Sequence, residues 1–93
     1  MAKFAAVVEF DPAIEEARLA VRPSHREYLG RLQSEGRLYS SGPWMDDTGA
    51  LLIYEAADED EVRAIMADDP YTPTGAFSRV RIKEWKQVFP PLV

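Results

Sequence analysis

The order of strand-like and helix-like stretches predicts an α+β fold of the ferredoxin-like type, βαββαβ, with two helices on one face of a four-stranded antiparallel sheet. Three observations carry that prediction. Short β-branched and aromatic runs fall at 3–10, 37–41, 50–56 and 76–88. Amphipathic helical stretches lie between the first and second runs and between the third and fourth. Asp46-Asp47-Thr48-Gly49 then supplies hairpin chemistry between the second and third. The chain reads as one domain, residues 1–93. A domain of this size buries only a little over ~60 % of the surface its unfolded chain would expose, so its core is thin and an oligomer would help it.

Each element has its own signal. Lys3 to Phe10 carries Phe4, Ala6, Val8 and Phe10 on one face and Ala5 and Val7 on the other, the pattern of a strand buried on both sides. Asp11-Pro12 ends it. Ala13 to Val21 is compatible with a turn or two of helix or with a loop. Ser24 followed by Glu27 makes a capping box, with Pro23 in the extended approach, so the first long helix is expected from Ser24 to Glu35, stopping at Gly36. On its wheel His25, Tyr28, Leu29 and Leu32 share a face. Arg37 to Ser41 is a short strand that Gly42-Pro43 breaks, and Ala50 to Ala56 is the third strand. Asp58 with Glu61 is a second capping box, opening a helix with Val62, Ile65 and Met66 as its apolar stripe; Pro70 prevents its continuation. In the last strand Ala76, Ser78, Val80 and Ile82 alternate with Phe77, Arg79, Arg81 and Lys83, and a bulge is expected near Trp85. Phe89 to Val93 reads as an extended tail.

Composition narrows the function. Apolar content is 46 % and charged content 29 %, ordinary for a soluble domain. A net charge of -5 argues against nucleic acid and anionic membranes as partners. No run approaches membrane-spanning length and no signal peptide is visible, so a cytoplasmic location is expected. Without cysteine there is neither thiolate chemistry nor Cys-ligated zinc, and a single histidine leaves zinc without a ligand set. Asp58 to Glu61 and Asp46-Asp47 serve a helix cap and a turn and lack EF-hand spacing, so no metal is expected. There is no glycine-rich phosphate loop, and no cofactor is expected.

Topology points to a site. With strand order 4-1-3-2, three segments meet at one end of the sheet: Arg22 to His25 at the start of the first helix, Ser40 to Pro43, and Asp68 to Gly75. A histidine at a helix N-terminus sits at the positive end of the macrodipole, which favours a neutral ring with a nitrogen free to accept a proton. Asp69 is placed to hold the other ring nitrogen and fix the tautomer. The bland alternative is a half-buried His25 with satisfied nitrogens and an Asp69 that only ends the second helix. Arg18 and Arg22 suit a carboxylate or phenolate, or else balance Glu15 and Glu16 at the surface. Ser41 and Gly42, beside Ser40, offer hydrogen bonds to a ligand or ordinary turn chemistry. Trp44 fits a pocket wall or a dimer contact equally.

Arg18-Leu19-Ala20-Val21-Arg22-Pro23-Ser24-His25, Gly36-Arg37-Leu38 with Gly42-Pro43, Asp69-Pro70-Tyr71 with Gly75, and Lys86-Gln87-Val88-Phe89 together resemble the YCII-related (YciI-like) family along nearly the whole chain. The resemblance implies a dimeric α/β-barrel of ferredoxin-like subunits, similar also to muconolactone-isomerase-type folds. It implies a His-Asp active-site dyad falling on His25 and Asp69; Tyr71 of the Asp-Pro-Tyr element is a further candidate for substrate binding. A dehydrochlorinase acting on a chlorinated hydroxyquinol belongs to that family, so the implied chemistry is proton abstraction from a small aromatic or carbonyl compound. The connection between strands two and three is shorter here than in some members.

Two functional readings follow. One is a cofactor-free enzyme performing elimination or isomerisation, with His25 as base and Asp69 orienting it. The other is a non-catalytic dimeric module that binds a small anionic or aromatic ligand, or regulates a partner enzyme, through the same cleft. Both expect a homodimer, because four strands with apolar residues on both faces leave one face uncovered by helices, a larger apolar patch than monomers usually expose.

Overall fold

In a computed structural model that describes residues 1–91, the chain forms β1 (Ala2–Phe10), α1 (Glu15–Ser34), β2 (Leu38–Pro43), β3 (Gly49–Ala56), α2 (Glu59–Ala67) and β4 (Phe77–Trp85). Single 3-10 turns at Pro12–Ile14 and Thr72–Thr74 precede α1 and β4. The sheet order is β2-β3-β1-β4, every neighbouring pair antiparallel, with both helices against one face. This is the expected ferredoxin-like α+β sandwich.

Alternation along the central strands decides which residues meet the helices. Phe4, Ala6 and Val8 of β1 stand opposite Tyr54, Leu52 and Ala50 of β3, and all six are buried with Leu32 of α1 and Val62, Ile65 and Met66 of α2. Each large member of that set contributes about 1.5–3 kcal/mol of burial. The second helix begins as its capping box predicts: the Asp58 carboxylate accepts the Glu61 N–H at 2.8 Å, and Glu61 reaches back to accept the Ala57 N–H at 3.3 Å. Gly49 permits a close backbone approach, since a Cβ there would collide with the Val8 carbonyl oxygen and crowd the Trp44 indole nitrogen at 3.1 Å.

The first helix departs from expectation. It starts at Glu15, not Ser24, and runs straight through Pro23. Ser24 is exposed and makes no capping hydrogen bond, so the Ser24-Glu27 pattern is two exposed residues one turn apart. The proline is tolerated because Pro23 and Leu19 both lie on the exposed side, where the carbonyl that lost its N–H partner is open to water. What carries the helix across the proline is a continuous inward line of Arg18, His25 and Leu32, flanked by Val21, Arg22, Tyr28 and Leu29. His25 is therefore in mid-helix, where the field of the helix terminus has faded, and the macrodipole argument for its neutral form does not apply.

Two strand readings are also corrected. Gly42-Pro43 belongs to β2 instead of breaking it, because β2 is an edge strand on which a missing N–H costs little. In β4 the irregularity lies between Glu9 and Phe10, at Ser78, and not near Trp85. It brings Phe77 opposite Phe10 and turns it to the helix side with Val80 and Ile82, leaving Arg79, Arg81 and Lys83 outward. The strand ends at Trp85; Gln87 then donates from Nε2 to the Pro90 carbonyl at 2.7 Å, and Leu92 and Val93 of the expected tail lie outside the described residues.

Candidate active site

The three segments expected to converge do so at one end of the sheet. His25 projects inward from α1 and its Nδ1 lies 2.8 Å from Oδ1 of Asp69, which follows the end of α2. The pair is buried, with Asp69 at 0 % exposure and His25 at 8 %. Because a carboxylate accepts and does not donate, the proton between them sits on Nδ1, and Nε2 of a neutral ring keeps its lone pair. Nε2 makes no hydrogen bond to any described residue, and His25 lines an adjoining cavity.

The Asp69-Pro70-Tyr71 element does three separate jobs. Pro70 ends the helix. The Asp69 Oδ1 that faces His25 also accepts the Tyr71 backbone N–H at 2.9 Å, which locks the carboxylate against its own loop. The Tyr71 ring then stacks on the imidazole, centroids 3.8 Å apart and planes 7° from parallel, while Phe10 and Phe77 meet Tyr71 edge-on. The loop is itself held: Thr72 and Thr74 hydroxyls donate to the Met66 and Tyr71 carbonyls at 2.6 Å each, and Gly75 closes the turn at φ 79°. On the helix side Tyr28, one turn beyond His25, donates its hydroxyl to the Ile65 carbonyl at 2.6 Å and ties α1 to α2. Burial foremost, then the Asp68 carboxylate, pushes the Tyr28 phenol up, so it remains a donor.

The cavity has a volume of about 260 Å³. Arg18, Arg22, Ser41, Gly42 and Tyr71 all line it with His25, and Asp69 stands behind the histidine. The continuous helix explains the arginines: residues 18, 22 and 25 share one face of α1, so the two guanidinium groups sit one and two turns before the imidazole. Arg18 is not a surface residue, being only 3 % exposed, with its guanidinium carbon 4.1 Å from the centre of the Phe10 ring. Ser41 and Gly42 form the facing wall on β2, opposite Leu52 and Leu51 of β3. Trp44 is not a lining residue.

Sequence reasoning missed three contributors. Phe10 and Phe77 read in the sequence only as strand residues; alternation along β1 brings Phe10 to the cavity with Val8, and the β4 irregularity brings Phe77. In the sequence Asp47 is turn chemistry, yet its Oδ2 lies 3.0 Å from Arg18 Nη2 and 3.6 Å from Arg22 Nη2. No local pattern signals that contact, which spans 29 residues. Among the described residues no cluster of three or more histidine or acidic side chains is arranged to hold a metal ion, and no helix is long and apolar enough to cross a membrane.

A ferredoxin-like fold with a buried histidine-carboxylate pair beside a small cavity defines the class. Residues 2–86 match the YCII-related domain, and the chain belongs to that family. Protein YciI of Escherichia coli O6:H1 is 36 % identical over 84 residues, covering 80 % of this chain and 86 % of that protein. The uncharacterised protein YjpA of Bacillus subtilis is 44 % identical over 62 residues, covering 67 % and 72 %. Among solved structures, the 5-chloro-2-hydroxyhydroquinone dehydrochlorinase TftG of Burkholderia phenoliruptrix, in complex with 2,5-dihydroxybenzoquinone, superposes with a TM-score of 0.79 at 29 % identity, covering 91 % of this chain and 94 % of that one. An antibiotic biosynthesis monooxygenase shares the fold, with a TM-score of 0.60 at 18 % identity over 95 % and 99 % of the two chains.

Proposed function

We propose that this protein is a small acid-base enzyme acting on a ring-sized aromatic or carbonyl compound, with His25 as the proton acceptor and Asp69 as the residue that orients it. The observation that carries the reading is the 2.8 Å Nδ1 to Oδ1 hydrogen bond, buried on the Asp69 side, with the second ring nitrogen unpaired beside a cavity. Nε2 takes a proton from a hydroxyl or from a carbon next to a carbonyl. The electron pair of the broken bond re-forms as C=O or C=C. In an elimination the leaving group, a halide for example, departs with its own pair; in an isomerisation the same proton returns at another atom. Asp69 faces the imidazolium formed in between, and stabilises it without taking the proton. Tyr71 keeps the ring plane fixed throughout.

The cavity suits that substrate class. Its walls are aromatic and aliphatic, Phe10, Leu29, Leu52 and Phe77 among them, and Arg18, Arg22, His25 and Arg26 line it from α1. Arg18 and His25 are seven residues apart on the helix, about 10 Å along its axis, the length of one substituted ring. The dehydrochlorinase relative acts on a hydroxylated chloroaromatic and supports elimination as the first reaction class to assay.

Turnover of haloaromatics, lactones and hydroxyquinone-like compounds tests the reading. His25→Gln is expected to abolish conversion, and Asp69→Asn to lower it by about 10²-fold or more, both with an unchanged circular dichroism spectrum. If the wild type binds such compounds and converts none, the protein is instead a ligand-binding module using the same cleft.

A further inference from the structure

The β2-β3 turn divides its acidic residues between two tasks. Asp46 builds the turn: its Oδ1 accepts the Thr48 N–H at 3.1 Å and the Thr48 hydroxyl at 2.7 Å. The backbone of Asp47 completes it, donating its N–H to the Trp44 carbonyl at 2.9 Å and adopting the left-handed φ of 60°. That leaves the Asp47 carboxylate with no role in the turn. It leans into the cavity instead, where one oxygen, Oδ2, serves both Arg18 at 3.0 Å and Arg22 at 3.6 Å.

The pairing is incomplete in a way that matters. Arg18 is 97 % buried by its 3 % exposure, yet its Nε, closed off from solvent, has no acceptor. Nε and Nη2 are the side-on fork with which a guanidinium takes two oxygens of one carboxylate. Asp47 fills half of that fork. Glu15, the other nearby acid, stands 3.9 Å from Nη2 and is itself mostly exposed, so it does not complete it. Arg22 keeps 31 % of its side chain exposed and reaches Asp47 only at the long end of ion-pair range.

Resting on the acid-base reading above, we infer that Arg18 and Arg22 form the anion seat of the cavity, that Asp47 fills this seat with its own carboxylate, and that the ligand is a ring compound bearing one anionic group, a carboxylate or a phenolate, which exchanges with Asp47. A ring carboxylate offers the fork two oxygens where Asp47 offers one. Asp47 is tied to a short turn, so after exchange it remains at the cavity edge and repels a second anionic group. It is thereby a specificity-determining residue that selects monoanions over dianions.

Calorimetric or NMR titration of the full chain with benzoate and with phthalate, at constant ionic strength, tests this. Asp47→Asn is the informative variant, since asparagine keeps the shape and tolerates the left-handed backbone. The expected result is tighter benzoate binding by about fivefold, the scale of a partly exposed ion pair, with a larger gain for phthalate. Asp46→Asn removes a charge from the same turn while keeping its acceptor oxygen, and is expected to leave both affinities unchanged. Equal or weaker benzoate binding by Asp47→Asn overturns the exchange, as does an equal gain in Asp46→Asn or the absence of benzoate binding in wild type and Asp47→Asn alike. Loss of turnover in His25→Gln is read separately, so the acid-base assignment survives or fails independently of these titrations.

Discussion

Asp69 uses its two oxygens very differently. Oδ1 accepts from His25 and from the Tyr71 N–H, while Oδ2 is buried with no partner among the described residues, and so is the hydroxyl of Tyr54 on β3. Burial foremost, then the Asp69 charge and the Tyr28 phenol, pushes the Tyr54 phenol far up from its ordinary value of 10.0. The sign for stability follows. The unfolded chain releases this proton as pH rises past 10.0 and the folded chain holds it, so the folded state binds more protons there and stability falls with rising pH. Urea unfolding of the wild type between pH 8 and 11 is expected to show that decline. Tyr54→Phe deletes a buried hydroxyl that makes no hydrogen bond, so at pH 7 it is expected to leave stability unchanged or raise it by about 1 kcal/mol, and to flatten the alkaline decline. A slope as steep in the variant as in the wild type would assign the effect to other groups, with Tyr28, whose phenol is also pushed up, the first to test.

At the scale of elements, the two helices show what a local pattern can and cannot disclose. Asp58-x-x-Glu61 and Ser24-x-x-Glu27 are the same motif in sequence, and only the first caps a helix. Asp58 follows a strand and has extended backbone, so its carboxylate is free to turn back onto the Glu61 N–H. Ser24 follows a segment whose own inward line, Arg18, Val21 and Arg22, already continues the His25 stripe; that period was the stronger signal, and polar residues at two of three positions hid it. The strand order was legible from the order of the elements, and the meeting of His25 with Asp69 from that order together with the family resemblance, even though His25 lies in mid-helix and not at the helix start. The Asp47 contact and the reorientation of Phe77 were not, since one depends on a turn's side-chain direction and the other on a single irregular strand position. Pro23 remains the weak point of α1. Restoring the N–H in Pro23→Ala gives the Leu19 carbonyl its partner, and chemical denaturation is expected to show a gain of about 1–3 kcal/mol, less what the more flexible unfolded chain takes back. A loss of stability would mean that the proline's fixed φ, and not the hydrogen bond it removes, decides the balance.

At the scale of the molecule, the question is what meets the sheet face that the helices leave open. Its residues are Lys3, Ala5 and Val7 of β1 and Leu51, Ile53 and Glu55 of β3, with the basic row Arg79, Arg81 and Lys83 of β4 beside them. One end is partly covered from within the chain: Lys3 pairs with Glu55 at 3.0 Å and lies 4.9 Å from the centre of the Tyr39 ring, which contacts Trp85 at 6.5 Å between centroids. Ile53, in the middle, is buried at 9 %, and the uncovered part is the neighbouring Val7–Leu51 pair, where Val7 is 38 % exposed. A homodimer closing this face would bury Val7 and Leu51 of both subunits, each worth about 1.5–3 kcal/mol when fully buried, against the cost of association. The register supplies a selective test. Val7 stands directly opposite Arg81 on β4, so in Val7→Asp the new carboxylate has a cross-strand cation and the isolated subunit tolerates it. Across a dimer the same charge faces apolar surface. Val7→Asp is therefore expected to give a folded monomer by sedimentation velocity and circular dichroism, whereas Leu52→Asp, at a position 2 % exposed beneath the helices, is expected to unfold the chain. A wild type that sediments as a monomer at micromolar concentration would count against the dimer, and would leave the open face to Val7, Leu51 and solvent.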